Sequence, residues 1–237
     1  MRSTILFLAL LFSVSVASAH ALWIETSASG KKGVPHDVKV FYGEYSEGKP
    51  EKIADWYSDV REFTLWLVSP DQSKIKLTTT AAGDHFTASF TPSREGVYTL
   101  LVSHAAKDLG GTTKYEFNAS ALVAVGQSKL GNDPKFNDNP ITLYADPFAH
   151  YKVNLPIRLV SLLKSAPGAG LHVEVFSPSG WNRAASTDDQ GTLSFTPLWS
   201  GRYMVEVSKT EKEEGEHHGA RYEKVWRCAT ISFVVEK

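Results

Sequence analysis

One stretch of this sequence occurs twice. Phe90-Thr91-Pro92, Gly96, Tyr98, Val102 and Ser103 recur 105 positions later as Phe195-Thr196-Pro197, Gly201, Tyr203, Val207 and Ser208. Identities held in one register at a spacing near one hundred residues mark a duplicated domain, because solenoid repeats are much shorter. Whatever fold one copy adopts, the other must share. The boundaries that follow are 20–126 and 141–237, with a polar, Gly-, Asn- and Pro-containing linker at 127–140.

Within each copy the residues alternate with period two and are rich in Val, Thr, Tyr and Phe, with Gly, Pro, Asp and Asn closing the segments. The alternation predicts strands near 20–26, 38–42, 63–69, 74–80, 85–90, 97–104 and 115–125. In the second copy it predicts strands near 141–144, 156–161, 172–177, 182–187, 192–195, 202–209 and 222–235. Seven short strands per copy make an antiparallel sandwich, so the expected fold is all-β, two tandem immunoglobulin-like domains. The Gly-x-Tyr that opens the sixth strand in both copies matches the tyrosine corner of such sandwiches. Replacing Tyr98 or Tyr203 is therefore expected to destabilise its own domain and spare the other.

The start of the chain has a different character. Arg2 precedes an apolar run over 5–16, and the run ends in Ala17-Ser18-Ala19. This is the pattern of a secretory signal peptide, 1–19, cleaved before His20. The run is too short to span a bilayer, which takes roughly 20 apolar residues. The single cysteine, Cys228, is far from the cleavage point, which excludes a lipid anchor there, and it has no partner for an internal disulfide. Net charge is −1 with both signs interspersed, which leaves no footprint for nucleic acid or an anionic membrane. The expected location is periplasmic or secreted, with no membrane insertion after cleavage.

No nucleophile motif, phosphate loop, dinucleotide fingerprint or Cys-x-x-Cys is present, so no catalysis is expected. The histidines carry more information. Cleavage would give His20 a free α-amine beside its imidazole, a chelating pair suited to copper, nickel, cobalt or zinc. In an immunoglobulin-like sandwich the chain start and the loops after strands two, four and six gather at one end. His85 and His104 border two of those loops and Glu44 opens the third. The expected metal site is thus His20, His85, His104 and Glu44. Under the repeat His85 faces Gln190 and His104 faces Lys209, so the fold itself does not require histidine at either place. The segment 211–218, with its carboxylates and His217-His218, reads as a charged, solvated hairpin loop. Trp23, Trp56 and Trp66 read as core, Cys228 as a small buried hydrophobe, and the Asn118-Ala119-Ser120 sequon as part of a strand.

His20-Ala21-Leu22-Trp23-Ile24-Glu25, Phe41-Tyr42-Gly43-Glu44 and Lys107-Asp108-Leu109-Gly110-Gly111 resemble a family of bacterial exported proteins. That family is a domain of unknown function, commonly labelled as a periplasmic component of cobalt or nickel ABC transport. The resemblance runs past the signal peptide to the Thr187-Asp188 and Gly191 turn. It implies a divalent transition metal as ligand and a membrane metal transporter as partner. The start alone, His20-Ala21, is similar to periplasmic copper-resistance binding proteins, but their Asp-x-His ligand pair is missing, since Asp84 and His85 are adjacent. The function expected from sequence is periplasmic metal binding or delivery. The alternative is a structural or adhesive envelope module that binds polysaccharide or protein, and a terminal-histidine copper mono-oxygenase is a third class. Mass spectrometry of the exported protein should give His20 as its first residue; an intact Met1 or another start would remove the chelating amine.

Overall fold

The computed structural model describes residues 20–45, 48 and 50–237; the expected signal peptide lies outside the described residues. The chain is all-β, and helix among the described residues is confined to short 3-10 turns such as 53–55, 60–62 and 134–136. The N-terminal half contributes β1 (Ala21–Thr26), β2 (Ser29–Gly30), β3 (His36–Gly43), β4 (Trp66–Val68), β5 (Lys74–Lys76), β6 (Thr80–Ala81), β7 (His85–Phe90), β8 (Gly96–Ala105) and β9 (Thr113–Val125). The C-terminal half contributes β10 (Ile141–Tyr144), β11 (Ile157–Leu163), β12 (Ala166–Pro167), β13 (His172–Phe176), β14 (Asn182–Ser186), β15 (Thr192–Phe195), β16 (Gly201–His217) and β17 (Ala220–Val235).

A nine-stranded sheet of order β14-β13-β16-β17-β9-β8-β4-β5, with β2 beside β9, runs through both halves. A four-stranded sheet, β1-β3-β7-β6, covers one face of its N-terminal part, and β10, β11, β12 and β15 form the sheet that covers the opposite face of its C-terminal part. Strands in the middle of the large sheet are packed on both faces, so they read as nearly unbroken apolar runs rather than alternating ones. Residues 96–102 of β8 and 203–208 of β16 are buried without interruption. The two cores hold Tyr42, Tyr98, Leu100 and Phe117 on one side, and Leu159, Val173, Tyr203 and Phe233 on the other. Each such side chain stabilises the fold by about 1.5–3 kcal/mol on burial.

The repeated residues do repeated work. The Tyr98 hydroxyl accepts from the amides of Ser93 and Arg94, both at 3.1 Å, and the Tyr203 hydroxyl accepts from Trp199 N at 3.2 Å. Gly96 and Gly201 both sit at φ +132°, and a Cβ at either would lie within 3 Å of a proline ring, Pro70 or Pro178. Only glycine serves there.

The halves are fused along one ladder. Residues Lys224 to Ile231 of β17 pair in parallel with Thr113 to Ser120 of β9. Cys228 of β17 therefore lies in the N-terminal core. The segment 127–140, expected as a linker, is packed rather than free: Val97 N donates to Leu130 O at 2.8 Å, and Asn139 Nδ2 donates to Val102 O at 2.9 Å.

Residues 211–218 are not the expected loop. β16 continues to His217 and turns at His218-Gly219 into β17, with a bulge between Lys212 and Gly215. The reason is electrostatic. Arg227, 5% exposed, binds Glu116 at 2.6 Å and Glu211 and Glu213 at 3.0 Å each. A buried guanidinium needs its charge met, and only extended strands bring those carboxylates to it. The sequon Asn118 is fully buried, its amide donating to Cys228 O at 2.9 Å.

The shared ladder alters what a corner substitution does. Tyr203→Ala should cost about 3–5 kcal/mol and should lower the unfolding temperature of both halves together. Hydrogen exchange checks this: the amides of β8 and β16 should lose protection in one step. Loss confined to β16 would show that the halves unfold separately.

Candidate metal site at the head of the first strand

β1 is an edge strand, and its free carbonyls are met by hydroxyls of β17. Thr230 Oγ1 donates to Leu22 O at 2.7 Å, and Ser232 Oγ donates to Ile24 O at 2.9 Å. Glu25 adds a link to β16 through Arg202 at 3.6 Å. Leu22 and Ile24 fill the N-terminal core, while Trp23 stacks on Phe41 and packs with Phe176 and Met204 of the other half. The strand is thus fixed along its length, and His20 stands at its head.

His20 is half-exposed. Its Nε2 lies 2.6 Å from Glu51 Oε1, and its ring stands over Tyr42 with centroids 5.7 Å apart. An ionised carboxylate only accepts hydrogen bonds, so against it the neutral ring has its proton on Nε2 and its lone pair on Nδ1. Glu51 is itself held rigidly: its N–H donates to Tyr42 O at 3.0 Å, and its carbonyl accepts from Trp56 Nε1 at 3.1 Å. Gly43 permits that approach, since a Cβ there would lie 3.0 Å from Glu51 N.

The other expected ligands stand elsewhere. His85 Nδ1 bonds Asp84 at 2.7 Å, and its ring packs on Phe41 at 4.9 Å. Phe41 and Tyr42 are neighbours in β3 and point to opposite faces, so His85 and His20 lie on opposite faces of that sheet. His104, on β8, bonds Asp59 through Nε2 at 3.0 Å. Burial alone would raise the Asp59 carboxyl, but the His104 ring and the Lys107 amide outweigh it and hold it below the ordinary range. The His85 ring likewise holds Asp84 low. Glu44 is one step past the Ala21–Gly43 pair of the β1–β3 ladder, so the register sets it across from His20. The structure therefore pairs His20 with Glu51, brings neither His85 nor His104 to it, and sets Glu44 only one ladder step past Ala21–Gly43. Among the described residues no three His, Cys, Asp or Glu side chains form a group that could hold a metal ion.

Reading the sequence missed the carboxylates behind these rings, because Glu51 and Asp59 are 31 and 45 residues from their partners. It also missed Glu206. A carboxylate inside the apolar run Tyr203-Met204-Val205-Glu206-Val207 was the available signal. Glu206 is 4% exposed and pairs across the ladder with Thr230, whose hydroxyl meets Leu22 of β1. Burial first, then the Glu174 and Glu44 carboxylates, push its carboxyl up to about 8. Opposite Glu206 in the ladder is Glu174, whose Oε1 meets His172 Nε2 at 3.2 Å.

A carboxyl raised from 4.5 to about 8 on folding binds its proton more tightly in the native state. Its stabilising contribution is complete below 4.5 and is lost as pH rises toward 8. Glu206→Gln should therefore melt near the wild type at pH 5 and above it at pH 8.5, as thermal unfolding across that range will measure. A variant less stable at the higher pH would mean that ionised Glu206 has a cation beside it.

No curated protein matches the chain. Solved structures resemble it at low similarity. A DUF4785 family protein from Legionella pneumophila shares 14% identity at TM-score 0.32, covering 84% of this chain and 55% of its own. The ice-binding, Ca2+-stabilised adhesin of an Antarctic bacterium shares 10% at TM-score 0.28, covering 91% and 49%. Trypsin-activated alpha-2-macroglobulin from Escherichia coli shares 10% at TM-score 0.29, covering 91% and 16%. This chain spans about half the length of the first two, and overlaps this loose carry no argument. The family model for the domain of unknown function DUF4198 matches residues 17–211, most of the sequence, and the chain belongs to that family.

Proposed function

We propose that this is an exported, periplasmic protein of two immunoglobulin-like sandwiches that binds and delivers a transition metal, cobalt, nickel or copper, without catalysing a reaction. The centre is anchored on His20. Once the signal peptide is removed, the α-amine and Nδ1 of His20 close a chelate ring on one ion, with Glu44 proposed as a further ligand and Glu51 holding the ring from behind. A membrane metal transporter is the partner that receives the ion. His85 and His104 take no part.

The observation that carries this reading is the His20–Glu51 hydrogen bond at 2.6 Å. Histidines that ligate metals commonly give their other N–H to a carboxylate, which fixes the tautomer and turns the free lone pair outward. Glu51 does so here, on a backbone pinned at both its N–H and its C=O. The nitrogen it leaves free is the one that can chelate together with the terminal amine.

The mature protein beginning at His20 should bind copper(II), nickel(II) or cobalt(II) at one site, measured by calorimetry and native mass spectrometry. His20→Ala, or one extra alanine ahead of His20, should weaken binding by more than tenfold, at least about 1.4 kcal/mol. Glu51→Gln should weaken it about tenfold by freeing the ring, and His85→Ala or His104→Ala should leave it unchanged. Equal affinity in the alanine-extended chain would overturn the proposal.

A further inference from the structure

Two tryptophans in the C-terminal half are not spent on the core. Trp181 closes the turn between β13 and β14 and is 47% exposed; Trp199 lies in the turn before β16 and is 39% exposed. Their rings stand 6.1 Å apart at 54°, an open angle at the mouth of a cleft of about 420 Å³. Arg183, Ser194 and Thr196 are further walls of that cleft, and Tyr203 lines it from the core side.

The repeat shows that the fold does not need these rings. Leu198-Trp199 correspond to Ser93-Arg94 in the N-terminal half, where the same corner hydrogen bonds are made from backbone amides beneath polar side chains. There the arginine is paired with Asp71 at 2.8 Å. The backbone that carries the indoles is also held in place. Trp199 N donates to the Tyr203 hydroxyl at 3.2 Å; Trp181 N donates to Ser177 Oγ at 3.2 Å, and its carbonyl accepts from Ser177 N at 2.8 Å. Two large apolar faces kept exposed on a fixed backbone are preorganised for a ligand.

The chemistry of the walls selects the ligand. An indole face is electron-rich and meets electropositive edges, and the C–H face of a sugar ring offers such an edge. Hydroxyls of Ser194 and Thr196 suit the rim of the same ring. The Arg183 side chain forms no ion pair or hydrogen bond among the described residues, and no carboxylate lines the cleft. Its guanidinium is therefore available to a carboxylate on the ligand, which it can meet with two parallel N–H donors. The geometry points to a binding site for an anionic oligosaccharide, a uronic acid polymer stacked on Trp181 and Trp199 with its carboxylate on Arg183. This site is independent of the metal reading and lies in the other half of the chain.

The test is calorimetric titration of the mature protein with alginate and polygalacturonate oligomers, with cellulose oligomers as the neutral comparison. At least one uronate should bind, more weakly as salt rises, while the neutral oligomer binds less. Trp181→Ala and Trp199→Ala should each lower uronate affinity at least tenfold, and Arg183→Gln should bring uronate down to the neutral level. Circular dichroism and melting must show each variant folded; Trp181→Phe, retaining a ring, should keep part of the affinity and guards against a folding defect. The proposal is overturned if neither uronate binds at millimolar concentration, if the tryptophan variants bind as the wild type does, or if cellulose oligomers bind equally well. It is likewise overturned if sedimentation shows a dimer that Trp181→Ala dissolves, since the pair would then be a self-interface.

Discussion

Eight paired residues of parallel ladder between β9 and β17 fix how the two halves of this chain stand to each other. Each half, taken alone, would end in an edge strand with a row of unmet amides and carbonyls, and such edges invite pairing with other chains. Joined, they satisfy one another and make one sheet out of two. The consequences reach both cores. Cys228 and Thr230 of the last strand become part of the surface on which β1 rests, and Arg227 is drawn into the seam, where carboxylates from β9 and β16 must surround it. The long extension of β16 and β17 past the second core follows from that charge.

The same seam prepares the head of β1. Hydroxyls from Thr230 and Ser232 take the place of a neighbouring strand for Leu22 and Ile24, which leaves His20 at the end of a clamped element. Once the proposed cleavage makes it the first residue, such a histidine would ordinarily fray. Here the Glu51 carboxylate and the Tyr42 ring hold it, and Glu51 is in turn held by the backbone of β3 and the indole of Trp56. Beneath the strand, Glu206 stays protonated toward pH 8 in the company of Glu174 and Glu44. This concentration of carboxylates at one end of β1 sets the electrostatics around the proposed centre.

Most of the strand positions were legible in the sequence because alternation is a local signal. The segments Ile141–Tyr144 and Thr192–Phe195 fall where the pattern put them, and the repeat of Gly-x-Tyr announced both corners. The seam was not legible, since nothing near 113–120 says that 224–231 will lie beside it. Without it, 211–218 read as a solvated loop, its glutamates having no visible partner until Arg227 is placed. The site was half legible. His20 was placed at the head of the first strand, but its partner Glu51 lies 31 residues away, and His85 was placed by the end of its strand with no account of the face it takes. The strand itself, 85–90, is where the pattern put it; which face its first residue takes is set by the pairing of His85 with Phe41, a contact between distant segments. Trp181 and Trp199 escaped notice because a sandwich ordinarily spends tryptophan on its core, as it does with Trp23 and Trp56.

The central claim is that His20 chelates the metal through its terminal amine and Nδ1 while Glu51 keeps Nε2. The most direct measurement is the structure of the mature protein crystallised with copper(II) or nickel(II). The account predicts one ion at the head of β1, bonded to both nitrogens of His20, with the Nε2–Glu51 hydrogen bond unbroken. An ion held at the His217-His218 turn, or by His85 or His104 with His20 uninvolved, would contradict it.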